Sequence, residues 1–256
     1  MGNGILGIIP ARYGSSEVKL KNIRPLAGLP LLAWTVRAAL GSRLDRVILS
    51  TDHPDIAEIG KSIGVEVPFL RPPEFATSEA KAIDVVLHSL DFFARSEGWA
   101  PEAMFYLQPT SPFRETYHID QGIAALRNSG RDSVISMAAV IDHPLHLYWR
   151  NGGDIAPVLP GEPMVERRQD LRPVVAINNA IMGSRTEYIK KQQFEHGLIV
   201  NLEDFVPQFI EAPVSIDINS EIDFIFADLL MSRMMERQSV EKVRSGKELA
   251  PRYGLY

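Results

Sequence analysis

The sequence of 256 residues contains no cysteine. That excludes a disulfide framework, a thiolate nucleophile and any metal centre built on sulfur. It fits a cytoplasmic protein. Long apolar runs are also missing, since the best stretches are broken by Pro10, Arg12 or Asp228. None approaches the roughly 20 residues that span a bilayer, so no membrane association is expected. The apolar run at 4–9 lacks a basic start and a small-residue cleavage site, and no export signal is expected. An excess of basic residues is absent too: 27 Lys and Arg stand against 32 Asp and Glu, a formal net charge of −5. Nucleic acid is therefore not an expected partner, because it needs a basic face. There is no internal repeat and no low-complexity tract. The remainder is ordinary for one α/β domain with a small appendage, at 45% hydrophobic and 23% charged residues.

Strand-like and helix-like patterns alternate through the first half. Ile5–Ile9 is a continuous apolar run, the signature of a strand buried on both faces. Residues 30–41 read as a helix with Pro30 near its start and Gly41 past its end. Strands are expected at Arg46–Ser50, Val65–Val67, Met104–Leu107 and Ser133–Met137, with helices at Pro54–Ile63, Ala82–Phe93 and Tyr117–Leu126. Gly64 stops the second helix, and Trp34 and Phe93 are core candidates. This order predicts a mostly parallel sheet with helices on both faces, whose ligands bind beyond the carboxyl ends of the strands. From about 141 to 185 the rhythm breaks into a stretch rich in Pro, Gly and charge, an inserted flap or oligomer arm from which strand Val174–Met182 returns to the sheet. A last strand is expected at Val214–Ile218. A helix at 220–237 follows, capped by Ser220 with Glu221 and Asp223 in its first turn. Residues 239–256 read as a polar tail.

The first strand end carries the densest chemistry. Arg12, Gly14, Ser15, Ser16, Lys19, Lys21 and Asn22 follow Pro10 within twelve residues. Small residues let backbone N–H groups turn inward as an anion nest, and nearby cations neutralise phosphate. This is not a Walker loop, for no Gly-Lys-Ser/Thr closes it. Nor is it a dinucleotide fingerprint: Gly2-x-Gly4-x-x-Gly7 lies before or within the strand, which disfavours an NAD-dependent oxidoreductase. A solvated surface loop is the bland alternative. Of the histidines, His88 lies on an amphipathic helix and His143 and His146 are too few for a metal cluster, so none receives a role.

IPAR, a small-residue loop and KNIRPLAGLPLLAWTV together resemble the start of the acylneuraminate cytidylyltransferases. The resemblance continues at LSTDHPDIAEI, at PFLRPPEFATSEAKAIDVVLHSL and at LQPTSPFR, and returns at RRQDLRPVVAINNAI and SIDINSEIDF. It covers most of residues 5–230 in the family's order. It implies a Rossmann-like domain over 1–238 of the nucleotide-diphospho-sugar transferase type, with the excursion as a dimerisation element. The implied reaction joins CTP to a 3-deoxy-2-keto acid sugar of sialic, legionaminic or pseudaminic type and releases pyrophosphate. The same chemistry with GTP or with Kdo, and a non-catalytic nucleotide-binding relative, stay open.

Roles follow from the resemblance. Arg12 and Lys21 would hold the triphosphate, and Asn22 would contact the base. Ala11, Gly14, Ser15, Arg71 and Ala82 would complete the nucleotide site. Gln108, Thr110, Ser111, Arg168, Gln169 and Asn178 would hold the sugar, and Arg114 would shape the 108–114 loop. Asp217 and Asn219 would bind Mg2+, with Asp217, Arg12 and Lys21 as the catalytic set. A homodimer is implied, in which the partner subunit completes the site.

Four departures from the family pattern carry expectations. Tyr13, Ser16 and Glu17 replace a glycine, a lysine and a glycine in the first loop, with Lys19 standing where a proline is common. Ala82 replaces a serine of the nucleotide pocket. Val175-Ala176-Ile177-Asn178-Asn179 stands for Tyr-x-x-Asn-Gly, which reshapes the sugar pocket. Asp217-Ile218-Asn219 stands for Asp-x-Asp, which removes one charge from the metal site.

Overall fold

The computed structural model describes residues 4–14, 18–192 and 197–244, with Arg168 and 238–244 by backbone alone. Strand β1, Ile5–Pro10, lies inside a six-stranded sheet and pairs in parallel with β4, Arg46–Ser50, and with β5, Ala103–Tyr106. A two-strand hairpin, β2 (Pro25–Leu26) and β3 (Leu29–Pro30), comes between β1 and helix α1, Leu31–Leu40. Its tip, Ala27-Gly28, has positive φ at both residues, the geometry of a two-residue hairpin turn. Helix α2, Pro54–Ile63, ends at Gly64 in the left-handed conformation, as expected. Helix α3, Ala82–Glu97, and helix α4, Thr116–Ser129, both run beyond their expected ends. Strand β6, Ser133–Ala139, is reached next.

The sheet order is β10-β6-β9-β5-β1-β4, mostly parallel as the alternating pattern requires. Strand β9, Val175–Arg185, runs antiparallel between β5 and β6. The buried strands alternate between two cores, which is why they read as continuous apolar runs. Ile5, Ile9, Leu49 and Phe105 face α1, α2 and α4, whereas Leu6, Ile8, Ile48 and Met104 face α3 and α5 (Thr186–Gln192). Phe93 belongs to the second core. Trp34 belongs to a third, where α1 meets α6, Glu221–Arg244, through Phe224, Ala227 and Met231.

Three expectations are corrected. Val65–Val67 contributes only an isolated bridge from Glu66 to Ile48. The stretch 214–218 is not a strand: Ile216 N–H turns back to Pro213 O at 3.0 Å, and its apolar side chains pack against the third core. The edge strand is instead β10, Phe205–Phe209, parallel to β6. Pro207 obscures it in the sequence, and an edge position tolerates the missing donor. Helix α6 also continues through 239–244, and 245–256 lie outside the described residues.

Within the excursion, β7 (Tyr148–Asn151) and β8 (Asp154–Pro157) pair as a hairpin apart from the main sheet.

Candidate active site

The carboxyl ends of β1 and β5 open onto one cleft of about 560 Å³. Its described lining holds four cations, Arg12, Lys21, Arg71 and Lys81, and no acidic residue. In a chain of net charge −5, that concentration selects an anion. Phe75, Ala82 and Val85 form an apolar wall, and Asn22, Tyr106, Gln108, Thr110 and Asn219 add neutral polar groups.

Three of the four cations, Arg12, Lys21 and Arg71, are aimed by protein contacts. Arg12 donates through NH1 to Thr77 O at 2.8 Å, which ties the first loop to the segment before α3. Asn22 donates through Nδ2 to Arg12 O at 2.9 Å, so it braces that loop as well as lining the cleft. Lys21 donates through Nζ to Ile218 O at 3.0 Å across 197 residues of sequence, which carries the 217–219 segment to the first strand end. Arg71 is buried. It donates through Nε to Ser50 Oγ at 3.1 Å and through Nη2 to Ser50 O, and its backbone N–H reaches Thr51 O at 2.7 Å. Burial lowers its pKa, and nearby Arg12 adds to the fall.

The loop after β5 is held from below. Arg114 is fully buried and donates to Ala180 O at 2.7 Å, Thr35 Oγ1 at 2.8 Å and Gln108 O at 3.0 Å. Burial lowers its pKa to about 9, with Asp217 opposing. Thr110 O accepts from Ile218 N at 2.9 Å, so the 217–219 segment is fastened to this loop too.

Not every expected residue reaches the cleft. Ala11 is buried with its N–H committed to Ser50 O at 2.9 Å, which leaves that amide nothing to offer a phosphate. Gly14 is exposed and outside the lining, and Ser15, Ser16 and Glu17 lie outside the described residues. Ser111 is buried off the cleft, with Oγ unpartnered among the described residues. Gln169 is exposed on the excursion, and Arg168 is placed there by backbone. Asn178 serves a bulge in β9: its Oδ1 accepts from Ala180 N at 3.2 Å and from Ser136 Oγ. Asn179, where the family has glycine, adopts φ of 60°, a conformation asparagine tolerates better than most residues.

Asp217 lies beside the cleft, whereas Asn219 lines it. Asp217 Oδ2 accepts from Asn219 Nδ2 at 3.2 Å, and Oδ1 is buried and unpartnered among the described residues. No group of three His, Cys, Asp or Glu comes together as a metal cage among the described residues. An orphaned carboxylate oxygen and an amide at the cleft edge still fit a hard cation that takes its remaining ligands from a bound phosphate.

Several lining residues received no role from the sequence. Lys81, Thr77 and Ser78 sit in the turn before α3, and Tyr106 ends β5 two residues before Gln108, on the same face. That period of two is the signal that singles out Tyr106. Tyr13, which replaces a loop glycine, stacks on His53 at 3.9 Å, and its N–H donates to Asp52 Oδ1 at 2.9 Å. His88 packs edge-on to Phe69 at 4.5 Å, and burial lowers its pKa.

A cation-lined cleft on the carboxyl edge of a mostly parallel sheet defines an α/β protein of nucleotide-binding type. The cytidylyltransferase family model matches residues 6–152. The chain is 30% identical over 240 residues to CMP-N,N'-diacetyllegionaminic acid synthase of Legionella pneumophila, covering 91% of this chain and 98% of that protein. It is 40% identical over 120 residues to the N-acylneuraminate cytidylyltransferase of Escherichia coli O18:K1:H7, covering 46% of this chain but 27% of the other. A solved CMP:2-keto-3-deoxy-manno-octonic acid synthetase complexed with CTP shares the fold, with a TM-score of 0.66, 15% identity and coverage of 90% and 99%. The chain belongs to the cytidylyltransferase family. No helix among the described residues is long and apolar enough to cross a membrane.

Proposed function

We propose that the protein transfers a cytidylyl group from CTP to the anomeric hydroxyl of a nine-carbon 3-deoxy-2-keto acid sugar of sialic, legionaminic or pseudaminic type. The observation that carries this reading is the cleft: four cations, no acid in the described lining, and an apolar wall beside them. Its extent is that of a nucleoside triphosphate with room for a second substrate. Likeness to a legionaminate-activating enzyme over 98% of its length supports the acid sugar.

In the reaction the sugar oxygen bonds to the α-phosphorus, the bond from that phosphorus to the bridging oxygen breaks, and pyrophosphate leaves with the electron pair. The hydroxyl proton passes to solvent. Such a transfer rests on in-line placement and charge neutralisation. Arg12 and Lys21 hold the phosphates, and their protein contacts keep both side chains in place before substrate arrives. Gln108 and Thr110 face the acceptor. Arg114 fixes the carbonyl of Gln108 and so the loop that presents both.

Mg2+ would be held by Asp217 and Asn219 with phosphate oxygens, and when bound it supplies charge neutralisation at the reacting phosphate. The missing second carboxylate makes that affinity weak. An Asn219→Asp variant is expected to lower the Mg2+ concentration needed for half-maximal rate by about tenfold, read from a metal titration of the initial rate.

A homodimer belongs to the same reading. All residues of β7 and β8 are exposed, and a lone hairpin is marginal in water. Gln169 stands on the same excursion, away from its own cleft, where a partner subunit's cleft can receive it. A CTP-consuming reaction of this kind fits the cytoplasm.

The test is pyrophosphate release with Mg2+, each of the four nucleoside triphosphates, and N-acetylneuraminate, legionaminate, pseudaminate and Kdo. Release with CTP and one nine-carbon sugar is expected. Release only with GTP or only with Kdo overturns the base or the sugar assignment, and CTP binding without release with any sugar overturns turnover.

A further inference from the structure

Strand β5 alternates strictly: Phe105 and Leu107 enter the core under α1 and α4, and Met104 and Tyr106 enter the core under α3. Tyr106 is therefore carried beneath the N-terminus of α3, at the cleft wall made by Phe75, Ala82 and Val85. Its ring is buried, with 7% of the residue still exposed. The phenol oxygen has no hydrogen-bond partner among the described residues. The oxygen is not among the enclosed polar atoms left without a partner, so it opens onto the cleft. A buried ring that presents its O–H at a cleft surface is placed to hydrogen-bond a ligand there.

We propose that Tyr106 is a specificity-determining residue whose phenol O–H donates a hydrogen bond to the heterocycle of the bound nucleotide. The inference rests on the reading that a nucleotide occupies the cleft. Two features assign the donor role and the base rather than the phosphates. The cationic side chains of Arg71 and Arg12 act on the phenol. They attract its oxygen lone pairs and turn the hydrogen away from themselves. The surrounding wall is apolar and suits the faces of a ring, whereas a phosphate placed there would lose its hydration against Phe75, Ala82 and Val85. Burial pushes the phenol pKa up to about 12 against the pull of both arginines, so the group stays a neutral donor at working pH.

The experiment is calorimetric titration of wild type and Tyr106→Phe with CTP, with CMP and with inorganic tripolyphosphate, beside melting curves of the ligand-free proteins. Phenylalanine keeps the buried ring and removes only the hydroxyl. CTP and CMP are expected to lose affinity by the same factor, about two- to tenfold, with tripolyphosphate affinity and the melting midpoint unchanged. Equal CTP affinity in the two proteins overturns the inference and leaves the proposed function standing. A parallel loss for tripolyphosphate overturns it in favour of a phosphate contact. A fall in the melting midpoint with no change in the ratio of CTP to tripolyphosphate affinity overturns it in favour of a purely structural phenol. A wild type that binds tripolyphosphate but no nucleotide overturns the proposed function, and this inference with it.

Discussion

The cationic cleft and the excursion between β6 and β9 are built on opposite plans. In the first, three cationic side chains beside the sheet are held by protein acceptors: Thr77 O for Arg12, Ile218 O for Lys21, Ser50 for Arg71. In the second, the hairpin β7–β8 has no exposed face covered, and Trp149 and Ile155 are 66% and 70% exposed. Neighbouring Ile141 and Met164 are exposed as well. Large apolar side chains exposed together on one excursion suit an interaction site rather than a finished surface. The difference teaches that the cationic cleft is preorganised within one chain, whereas the excursion leaves large apolar side chains uncovered, as the proposed dimer requires.

The sharpest way to break the comparison is to remove a cation from the preorganised half. Arg12→Ala is expected to lower kcat/KM for CTP by roughly a hundred- to a thousandfold with little change in the melting midpoint, read by pyrophosphate release and thermal denaturation. A small loss would mean that the first loop is a solvated turn after all.

Arg114→Leu tests whether the support below the cleft is as rigid as its contacts imply. The variant leaves the carbonyls of Gln108 and Ala180 and the hydroxyl of Thr35 without their donor. A destabilisation of about 3 kcal/mol is expected, measured by urea unfolding. Near-neutral stability would show that the loop after β5 holds itself.

The excursion should respond in the other direction. Paired Trp149→Asp and Ile155→Asp substitutions are expected to turn a dimer into a monomer at micromolar concentration by light scattering, while affinity for CTP stays within about twofold. A wild type that already runs as a monomer removes the second surface from the account.

The smallest effect concerns the anchor of α6. The Arg24 guanidinium hydrogen-bonds Glu221 and holds its carboxyl below the ordinary 4.5. Such a group stabilises the fold above 4.5 and loses that contribution as pH falls through the folded value. Glu221→Gln should therefore melt slightly below wild type at neutral pH, by about 1 °C for so exposed a pair, and match it once pH has fallen below the folded value.

The first half of the fold was legible because apolar runs, capping residues and glycine stops agree there. Arg46–Ser50 and Pro54–Ile63 fall at the expected boundaries. Legibility failed where local pattern and pairing diverge. VSIDI looks like a strand but serves the third core by its side chains, and FVPQF carries a proline yet pairs with β6. In the cleft, Arg12 and Lys21 stood out because cations gather at the first strand end, and Arg71 only through the resemblance; all three line it. Tyr106 and Lys81 were given no role: Tyr106 lies just outside LQPTSPFR, where only its spacing of two from Gln108 points to it, and Lys81 lies within a family-like stretch in which packing, not type, turns it toward the cleft.

By itself the sequence determined the alternation of strand and helix, the cationic first strand end and the family, because these rest on residue type and short-range order. Only the tertiary structure decided which groups meet. Lys21 touches the carbonyl of Ile218 from 197 residues away, Arg114 joins three segments from inside the core, and Ala11 gives its amide to Ser50. The physical reason is that hydrogen-bond partners and burial depend on how strands are ordered across the sheet, and that order, β10-β6-β9-β5-β1-β4, is fixed by packing between distant segments rather than by neighbours in the chain.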